Sequence, residues 1–311
     1  MKIFTYAEIE QSLPHLNDLM TELEAGYIAY SQGDCIIPPV GHLPLPHGEL
    51  HIKYGLMKAS AYATIKIAAG SYSNSEIGLP TSSGCMMIIN TQTGFPVALL
   101  QDEGLLTTYR TSAAGALIAQ KFSPGAEIMG VVGCGTQGFF QTLHTCQAVG
   151  IDRVIAYDMA PENVEKLQEK LREANIQVEK ASSVEQLCRA ADIITTVTPS
   201  NTPFIDARWL KPNAHINAFG CDTVGKRELL ENVFDVANLI MADSYEQCMD
   251  HGELQYIDDG SKPRVKEIGS LLSGLSDFVD GLTVADFTGI AVQDIVISGM
   301  VYQSLMASTV Q

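Results

Sequence analysis

The chain has 311 residues, of which 46% are apolar and 18% are charged. This composition supports a buried core and excludes collagen, coiled-coil and low-complexity proteins, and the length predicts about two domains. With 36 acidic and 19 basic side chains, the formal charge is −17. A surface of this sign repels phosphate backbones and anionic lipids, so we expect neither a nucleic acid nor a membrane as partner.

The sequence also bears on the compartment. No apolar run reaches the roughly 18 to 20 residues that a bilayer span needs, and the first residues lack the order of a signal peptide. The seven cysteines are scattered without a CxxC pair, and the histidines form no cluster along the chain. We therefore expect a cytoplasmic protein with reduced thiols and without a metal site.

The first third of the chain predicts an α+β domain. Residues 1–30 have helical spacing of apolar residues, and prolines then interrupt the pattern from Cys35 to Pro46. Short apolar runs separated by turn residues predict an antiparallel sheet; they are Leu50 to Tyr54, Ala63 to Ala68, Cys85 to Asn90 and Phe95 to Leu100. An alanine-rich helix is expected over Thr107 to Lys121.

From Ile128 onward, apolar runs alternate with helical patterns over about 120 residues, which is typical of a doubly wound parallel sheet. The predicted strands are Ile128 to Val132, Val154 to Tyr157, Ile193 to Val197, His215 to Phe219 and Leu239 to Ala242. A last apolar helix, Ile290 to Met306, could return to the first domain. We therefore predict two domains: residues 1–120 with 290–311, and residues 121–289.

The strongest local motif is Gly133-Cys134-Gly135-Thr136-Gln137-Gly138, between a predicted strand and a predicted helix. In a dinucleotide fingerprint, Gly133 makes the tight turn, Gly135 lets the backbone approach a pyrophosphate, and Gly138 allows close packing of helix on strand. Asp158 closes the next strand, where a carboxylate accepts hydrogen bonds from the adenine ribose. The competing interpretation is a tight turn that binds nothing.

Asp158 also predicts which cofactor binds. A carboxylate there repels a 2′-phosphate, and no arginine follows it directly, so NAD(H) is preferred and NADP(H) remains possible. The loop that carries Thr198 and Ser200 follows a later strand, where ligands bind in such sheets, although it could equally be an ordinary turn.

Three residues are candidates for substrate chemistry. Lys66 lies inside an apolar run, so its side chain either faces outward or points toward an anion in a cleft. Arg110 opens the alanine-rich helix and could bind a carboxylate through two hydrogen bonds or face solvent. Asp222 follows a predicted strand and could transfer a proton or cap a helix.

The chain resembles the ornithine cyclodeaminase/mu-crystallin family over nearly its whole length. The likeness rests on Lys66 in its strand and on a set of short motifs: Gly78-Leu79-Pro80-Thr81, Leu106-Thr107, Arg110-Thr111-Ser112-Ala113-Ala114, Gly133-Cys134-Gly135-Thr136-Gln137, Gly220-Cys221-Asp222, Gly225-Lys226-Arg227-Glu228-Leu229 and Thr288-Gly289-Ile290-Ala291-Val292-Gln293-Asp294. The resemblance implies a homodimer with a Rossmann-type sheet and an N-terminal substrate-binding and dimerisation domain that the C-terminal helix completes.

The resemblance also implies site roles. Lys66 and Arg110 match the family's carboxylate-binding pair, Thr81 lines the site, and Asp222 matches the acid that transfers protons at the substrate nitrogen. Thr136, Gln137 and Gly289 fall in motifs expected near the cofactor. An arginine that the family often carries before the first strand of the sheet is absent; Lys53 or His42 could supply the missing cation.

Family members act on small amino or imino acids through a nicotinamide, so several functions are open. The first is reduction of a cyclic imino acid, such as Δ1-pyrroline-2-carboxylate to L-proline. The second is ornithine cyclodeamination, which recycles NAD and releases ammonia. An alanine dehydrogenase activity and a non-catalytic binding protein are further alternatives. We expect Lys66 and Arg110 to hold the substrate carboxylate, and Asp222, its pKa raised by burial, to protonate the nitrogen.

Overall fold

A computed structural model describes residues 1–58, 60–274 and 280–308. Within these ranges the helices are α1 (Tyr6–Gln11), α2 (Leu16–Ser31), α3 (Leu105–Phe122), α4 (Thr136–Val149), α5 (Pro161–Leu171), α6 (Val184–Ala190), α7 (Glu231–Val236), α8 (Tyr245–His251), α9 (Ile268–Gly274) and α10 (Ala291–Ser308). None of these helices has the length and apolar character that crossing a membrane requires.

The strands fall into two sheets, the first formed by β1 to β7 and the second by β8 to β15. The first seven are β1 (Lys2–Phe4), β2 (Cys35–Ile36), β3 (Gly41–Leu45), β4 (Gly48–Met57), β5 (Tyr62–Gly70), β6 (Ser82–Asn90) and β7 (Pro96–Leu100). The other eight are β8 (Ile128–Val132), β9 (Arg153–Tyr157), β10 (Gln177–Lys180), β11 (Ile193–Thr196), β12 (His215–Ala218), β13 (Leu239–Ala242), β14 (Val265–Glu267) and β15 (Thr283–Asp286).

The chain divides into two compact units, Met1–Arg110 with Ile290–Gln311, and Thr111–Gly289. The division falls inside α3, ten residues before the predicted boundary at 120; Arg110, the last residue of the first unit on that helix, contacts Gln293 and Asp294 on α10. Residues 309–311 of the predicted returning segment lie outside the described residues.

The first unit contains the sheet β1-β7-β6-β5-β4-β2, with β3 paired to the outer part of β4. All neighbours are antiparallel except β1 and β7. Helix α10 covers one face of this sheet, and α2 packs closely on α10: a Cβ on Gly26 would lie 3.1 Å from Val296. The antiparallel sheet expected from the apolar runs is therefore confirmed.

The predicted continuous helix over residues 1–30 is wrong. A strand, β1, comes first, and α1 and α2 are separate. Thr5 and Glu8 form a capping box that starts α1, whereas Pro14 stands between the helices, where it cannot donate a backbone hydrogen bond. The stretch expected to be irregular before Pro46 also contains two short strands, β2 and β3, both paired with β4.

The second unit is a parallel sheet of order β10-β9-β8-β11-β12-β15-β13-β14. It confirms the predicted Rossmann-type doubly wound fold and all five predicted strands. Three strands were not predicted, namely β10, β14 and β15, because the first two are short and carry charged residues and the third follows a glycine-rich stretch. Strand order reverses between β8 and β11, so the loops after these two strands flank the crevice in which such sheets bind ligands.

Candidate functional site

The first unit contains a buried group of opposite charges. The Nζ atom of Lys66 on β5 lies 3.3 Å from Oδ2 of Asp294, and Nε of Arg110 on α3 lies 3.1 Å from Oδ1 of the same carboxylate. None of the three side chains is more than 3% exposed. Buried ions are costly unless they are paired, so one carboxylate on α10 holds both predicted substrate-binding cations in place.

Two neighbouring side chains complete the support of Arg110. Its Nη1 donates a hydrogen bond to Oε1 of Gln293, and Nε2 of Gln293 donates one to the hydroxyl of Tyr27 on α2. Gln293 and Asp294 are consecutive on α10, so a single turn of that helix orients the guanidinium from two directions. A guanidinium fixed in this way is preorganised for a planar carboxylate ligand.

A third cation lies beside this group. Lys53 on β4 is the direct cross-strand partner of Lys66 and is only 9% exposed, and paired residues of antiparallel strands project from the same face. The pKa of Lys66 is lowered to about 7, mainly by burial; Asp294 raises it, and Arg110 and Lys53 add to the lowering. Because like charges crowd here, a bound anion would stabilise the protonated amine.

The two other predicted substrate residues lie elsewhere on the first unit. Thr81 is exposed just before β6, and its carbonyl accepts a hydrogen bond from the backbone of Ser71. His42 on β3 is also exposed, and its Nε2 atom lies 3.6 Å from Glu49 rather than beside the buried charges. As a replacement for the absent arginine, Lys53 is therefore placed better than His42.

In the second unit, the glycine motif forms the turn from β8 into α4. Gly133 has a φ of 97°, a conformation that favours glycine, and an added Cβ would lie 2.8 Å from the carbonyl of Val197 after β11. At Gly138 an added Cβ would lie 2.0 Å from the Gly133 carbonyl. These two glycines therefore permit the close packing that the fingerprint requires.

Gly135 differs from the other two glycines. It is exposed, it caps the N-terminus of α4, and an added Cβ would meet no atom within 4 Å. Thr136, the first residue of the helix, is exposed as well, and Gln137 follows in the same turn. The open space above a helix N-terminus fits a pyrophosphate, whose charge the free N–H groups and the helix dipole stabilise.

Asp158 follows β9 and holds the glycine turn. Its Oδ2 atom accepts a hydrogen bond of 2.8 Å from the backbone N–H of Cys134, and Oδ1 accepts bonds from the backbone of Ala160 and the side chain of Asn163. A carboxylate has about four acceptor sites, so these bonds orient Asp158 and still leave capacity for a ribose hydroxyl.

A buried carboxylate, Glu228, joins the loops after β11 and β12. It accepts hydrogen bonds from the backbone and hydroxyl of Thr198, both at 2.7 Å, from the hydroxyl of Thr196 and from the backbone of Gly220. Burial raises its pKa, whereas these hydrogen bonds lower it. Ser200 donates to the carbonyl of Thr202, so the loop predicted to flank the cofactor has a defined shape.

A second carboxylate, Asp243, acts in the same way between β13 and β15. It accepts hydrogen bonds from the backbone of Thr288 and, at 2.6 Å, from the backbone of Gly289, which has a φ of 78°. The acids Glu228 and Asp243 thus fix backbone segments at the edge of the sheet where ligands bind. Sequence reasoning did not single out Asp243, because a lone aspartate after a strand carries no distinctive pattern.

Asp222 lies in the loop after β12, as predicted, but its surroundings differ from the expectation. Its side chain is 45% exposed, and Oδ1 lies 2.6 Å from Nζ of Lys226. The hydroxyl of Thr223 also donates to Oδ1, at 3.4 Å. The predicted burial of this carboxyl is therefore wrong: its side chain is partly exposed, and Lys226, four residues further along the same loop, donates a hydrogen bond to it.

Comparison with known proteins places these features in a family. Residues 2–309 match the ornithine cyclodeaminase/mu-crystallin family. An alanine dehydrogenase of Archaeoglobus fulgidus is 30% identical over 99% of this chain and 96% of its own length. The structure of an archaeal alanine dehydrogenase dimer with bound NAD is 30% identical, with a TM-score of 0.90 over 99% of this chain and 97% of that chain.

Two further solved structures share the fold. The iminosuccinate reductase of Paracoccus denitrificans in complex with NAD+ is 25% identical, with a TM-score of 0.90 over all of this chain and 98% of that chain. The Δ1-pyrroline-2-carboxylate reductase of Thermococcus litoralis, in complex with NADH and L-proline, has a TM-score of 0.91 over 99% of this chain and 98% of that chain. At 20% identity, the second likeness concerns the fold alone.

The two glycines of the α4 turn provide a test of cofactor binding. We expect Gly135→Ala to fold normally but to bind NADH at least about tenfold more weakly, because the added methyl group lies where the pyrophosphate is expected to bind. The matched variant Gly138→Ala should instead lower the melting temperature, since its methyl group overlaps the Gly133 carbonyl. Fluorescence titration with NADH and thermal unfolding measure the two effects. Unchanged NADH affinity in Gly135→Ala would show that the turn is not a nucleotide site.

Proposed function

Because the chain belongs to the ornithine cyclodeaminase/mu-crystallin family, we propose that it is an NADH-dependent reductase of a small imino acid, of the type that converts Δ1-pyrroline-2-carboxylate to L-proline. The observation that carries this proposal is a buried set of three basic residues: Lys66 and Arg110 each contact Asp294, and Lys53 lies beside Lys66 on the neighbouring strand. Such a set favours an anionic substrate without a positive charge of its own.

In this proposal Lys66 and Arg110 bind the substrate carboxylate and so orient the C=N bond, and positioning of this kind supplies much of an enzyme's rate. Bound NADH supplies the hydride that reduces the imine carbon. The proton that the nitrogen gains comes from the Lys226 ammonium and passes through the Asp222 carboxylate, to which Lys226 is hydrogen-bonded, and solvent then reprotonates Lys226. In the overall reaction, one imine gains one hydride and one proton and becomes one amine.

The cofactor proposed is NAD(H) rather than NADP(H). Asp158 is oriented by three protein donors, and the residues after it, Met159, Ala160 and Pro161, provide no cation for a 2′-phosphate. The two more similar solved relatives contain NAD or NAD+. We infer that this protein works in the cytoplasm, where thiols such as its seven free cysteines stay reduced.

The competing function is ornithine cyclodeamination, with L-proline and ammonia as products. Ornithine carries a second amine that is cationic at neutral pH. Lys53 and Lys66 lie side by side on the same face, so a further ammonium group there would meet like charges. This repulsion favours the reductase, and it applies equally to lysine as substrate.

A substrate panel separates these functions. We expect NADH to be oxidised with one equivalent of Δ1-pyrroline-2-carboxylate, and Asp222→Asn to lower turnover by roughly 10² to 10⁴ because positioned proton transfer is worth about that much. NADH binding should persist in this variant, and Asp235→Asn, which changes an exposed acid on α7, is the control.

Three outcomes would contradict the reductase. Ammonia release from ornithine without net NADH consumption would show a cyclodeaminase. Oxidation of NADH only with pyruvate plus ammonia would show an alanine dehydrogenase activity. Tight NADH binding without turnover on any of these compounds would indicate a non-catalytic binding protein.

A second candidate substrate is a dicarboxylic imino acid of the iminosuccinate type. Lys53 favours it, because a buried third cation beside Lys66 and Arg110 can bind a second carboxylate. The Paracoccus relative acts on a substrate of this class by its name. The two candidate substrates therefore differ in the role of Lys53: it binds the second carboxylate of a dicarboxylic substrate, whereas a cyclic imino acid with one carboxylate leaves it without such a contact.

Substitution of Lys53 decides between them. If the substrate is dicarboxylic, Lys53→Met should lower kcat/KM for oxaloacetate plus ammonia at least about tenfold, since a charged hydrogen bond is worth about 1.5–3 kcal/mol. Activity with Δ1-pyrroline-2-carboxylate should change much less. Lys58→Met, at an exposed lysine beyond the end of β4, is the matched control. If Lys53→Met lowered kcat/KM equally with both substrates, a specific contact between Lys53 and a second carboxylate would be excluded.

The chain is also proposed to form a homodimer, as the archaeal alanine dehydrogenase does. One face of the first sheet, opposite to the lysines, presents exposed apolar side chains: Leu43, Leu45, Tyr54 and Ile67. Contiguous exposed apolar patches of this kind mark association surfaces in soluble proteins. We call these four residues the apolar sheet face.

Charge introduced on the apolar sheet face tests this proposal. Light scattering should give twice the 33.6 kDa chain mass for the unmodified protein and one chain mass for the double variant Tyr54→Lys, Ile67→Lys, because buried unpaired charges oppose association. Val236→Lys, at an exposed apolar residue on α7, should remain dimeric. A monomeric unmodified protein would refute the proposal.

A further inference from the structure

We propose that His42, Glu49 and His51 form a binding site for one divalent transition-metal ion of the zinc type. Their side chains lie on the hairpin of β3 and β4, and one ligand atom from each residue falls within 4.8 Å of the other two. The sequence suggested no clustered histidines, because the cluster arises from strand pairing rather than from spacing along the chain.

Strand register explains why the three side chains converge. His42 is the direct cross-strand partner of His51, so both project from the same face of the hairpin. Glu49 precedes His51 by two residues on β4 and therefore shares that face. A shift of one residue in this pairing would turn His42 to the opposite face, so the arrangement depends on this register.

The distances from the Glu49 carboxylate to the two imidazoles match those of a tetrahedral metal site. Zinc binds nitrogen and oxygen ligands at about 2.0–2.2 Å, which places neighbouring ligand atoms about 3.4 Å apart. Oε2 of Glu49 lies 3.6 Å from Nε2 of His42 and 3.3 Å from Nε2 of His51. The two imidazole rings are 5.0 Å apart between centroids and inclined by 71°, so their nitrogens approach the carboxylate from different directions.

The chemistry of the three ligands selects the class of ion. Two imidazoles and one carboxylate suit Zn²⁺, Co²⁺ and Ni²⁺, whereas Ca²⁺ and Mg²⁺ prefer oxygen ligands alone. Three protein ligands leave a fourth position that water can occupy. The carboxylate also cancels part of the ion's charge, and the half-exposed position of His42 gives the ion access from solvent.

Metal binding would affect the fold at the edge of the first sheet. Among the described strands, β3 pairs with β4 alone, so an ion that joins His42 to His51 crosslinks the hairpin and favours its folded form. Lys53 lies two residues beyond His51 on the same face. The ion therefore adds positive charge to the sheet face that carries Lys53 and Lys66. This site does not depend on the proposed reaction.

Titration of the full-length protein tests the site. After removal of metals with EDTA and dialysis, isothermal titration with Zn²⁺ should show one equivalent bound per chain, and Co²⁺ should give the visible absorption of a tetrahedral site. Loss of a residue that hydrogen-bonds to a metal ligand costs about 10- to 100-fold in metal affinity, and loss of a direct ligand costs at least as much. We therefore expect His42→Ala and His51→Ala each to weaken Zn²⁺ binding at least about tenfold.

The hairpin supplies its own control. His47 is exposed in the turn between β3 and β4 but lies outside the cluster, so His47→Ala should bind Zn²⁺ as the unmodified protein does. Thermal unfolding of the metal-free variants shows that each is folded before titration. Zinc binding that is absent, that is unchanged in both His42→Ala and His51→Ala, or that is lost in His47→Ala would overturn the assignment.

Discussion

The carboxylate of Asp294 is the constraint on which the first unit depends. It lies between two buried cations, Lys66 and Arg110, and is itself buried. Removing one member of such a set leaves unpaired charge in the interior, at a cost of about 3–5 kcal/mol. Strand β5, the first turns of α3 and helix α10 therefore hold one another at the position where an anionic ligand is proposed to bind. The charges that are proposed to bind the ligand thus also stabilise the fold.

The second unit relies on buried acids for a similar purpose. Glu228 fixes the loop after β11, and Asp243 fixes the segment after β15, mainly through hydrogen bonds from backbone N–H groups. Loops at the carboxyl ends of parallel strands have no partner strands beyond them, so their N–H groups need other acceptors. Buried carboxylates meet this need and shape the edge of the sheet without occupying the space above Gly135.

The sequence was informative where the chemistry is local. The turn from Gly133 to Gly138 follows from contacts between near neighbours, so its spacing alone predicted the strand, the helix and the place of Asp158. Asp294 was not predicted as the partner of Lys66 and Arg110, because these residues are far apart in the chain and the pairing exists only after α10 returns to the sheet. The grouping of His42 with His51 depends on strand register, which spacing does not determine.

The charge of the chain as a whole bears on how an anion is recognised. The chain carries a formal net charge of −17, which repels an anionic substrate at long range, although salt screens exposed charges beyond about 8–10 Å. Buried charges are screened much less, so the cations around Asp294 act strongly but only at short distance. In the proposed reaction, a substrate would therefore be selected after arrival, by whether its own charges suit Lys53, Lys66 and Arg110. A second carboxylate satisfies this condition, an uncharged ring is compatible with it, and a second ammonium group is not.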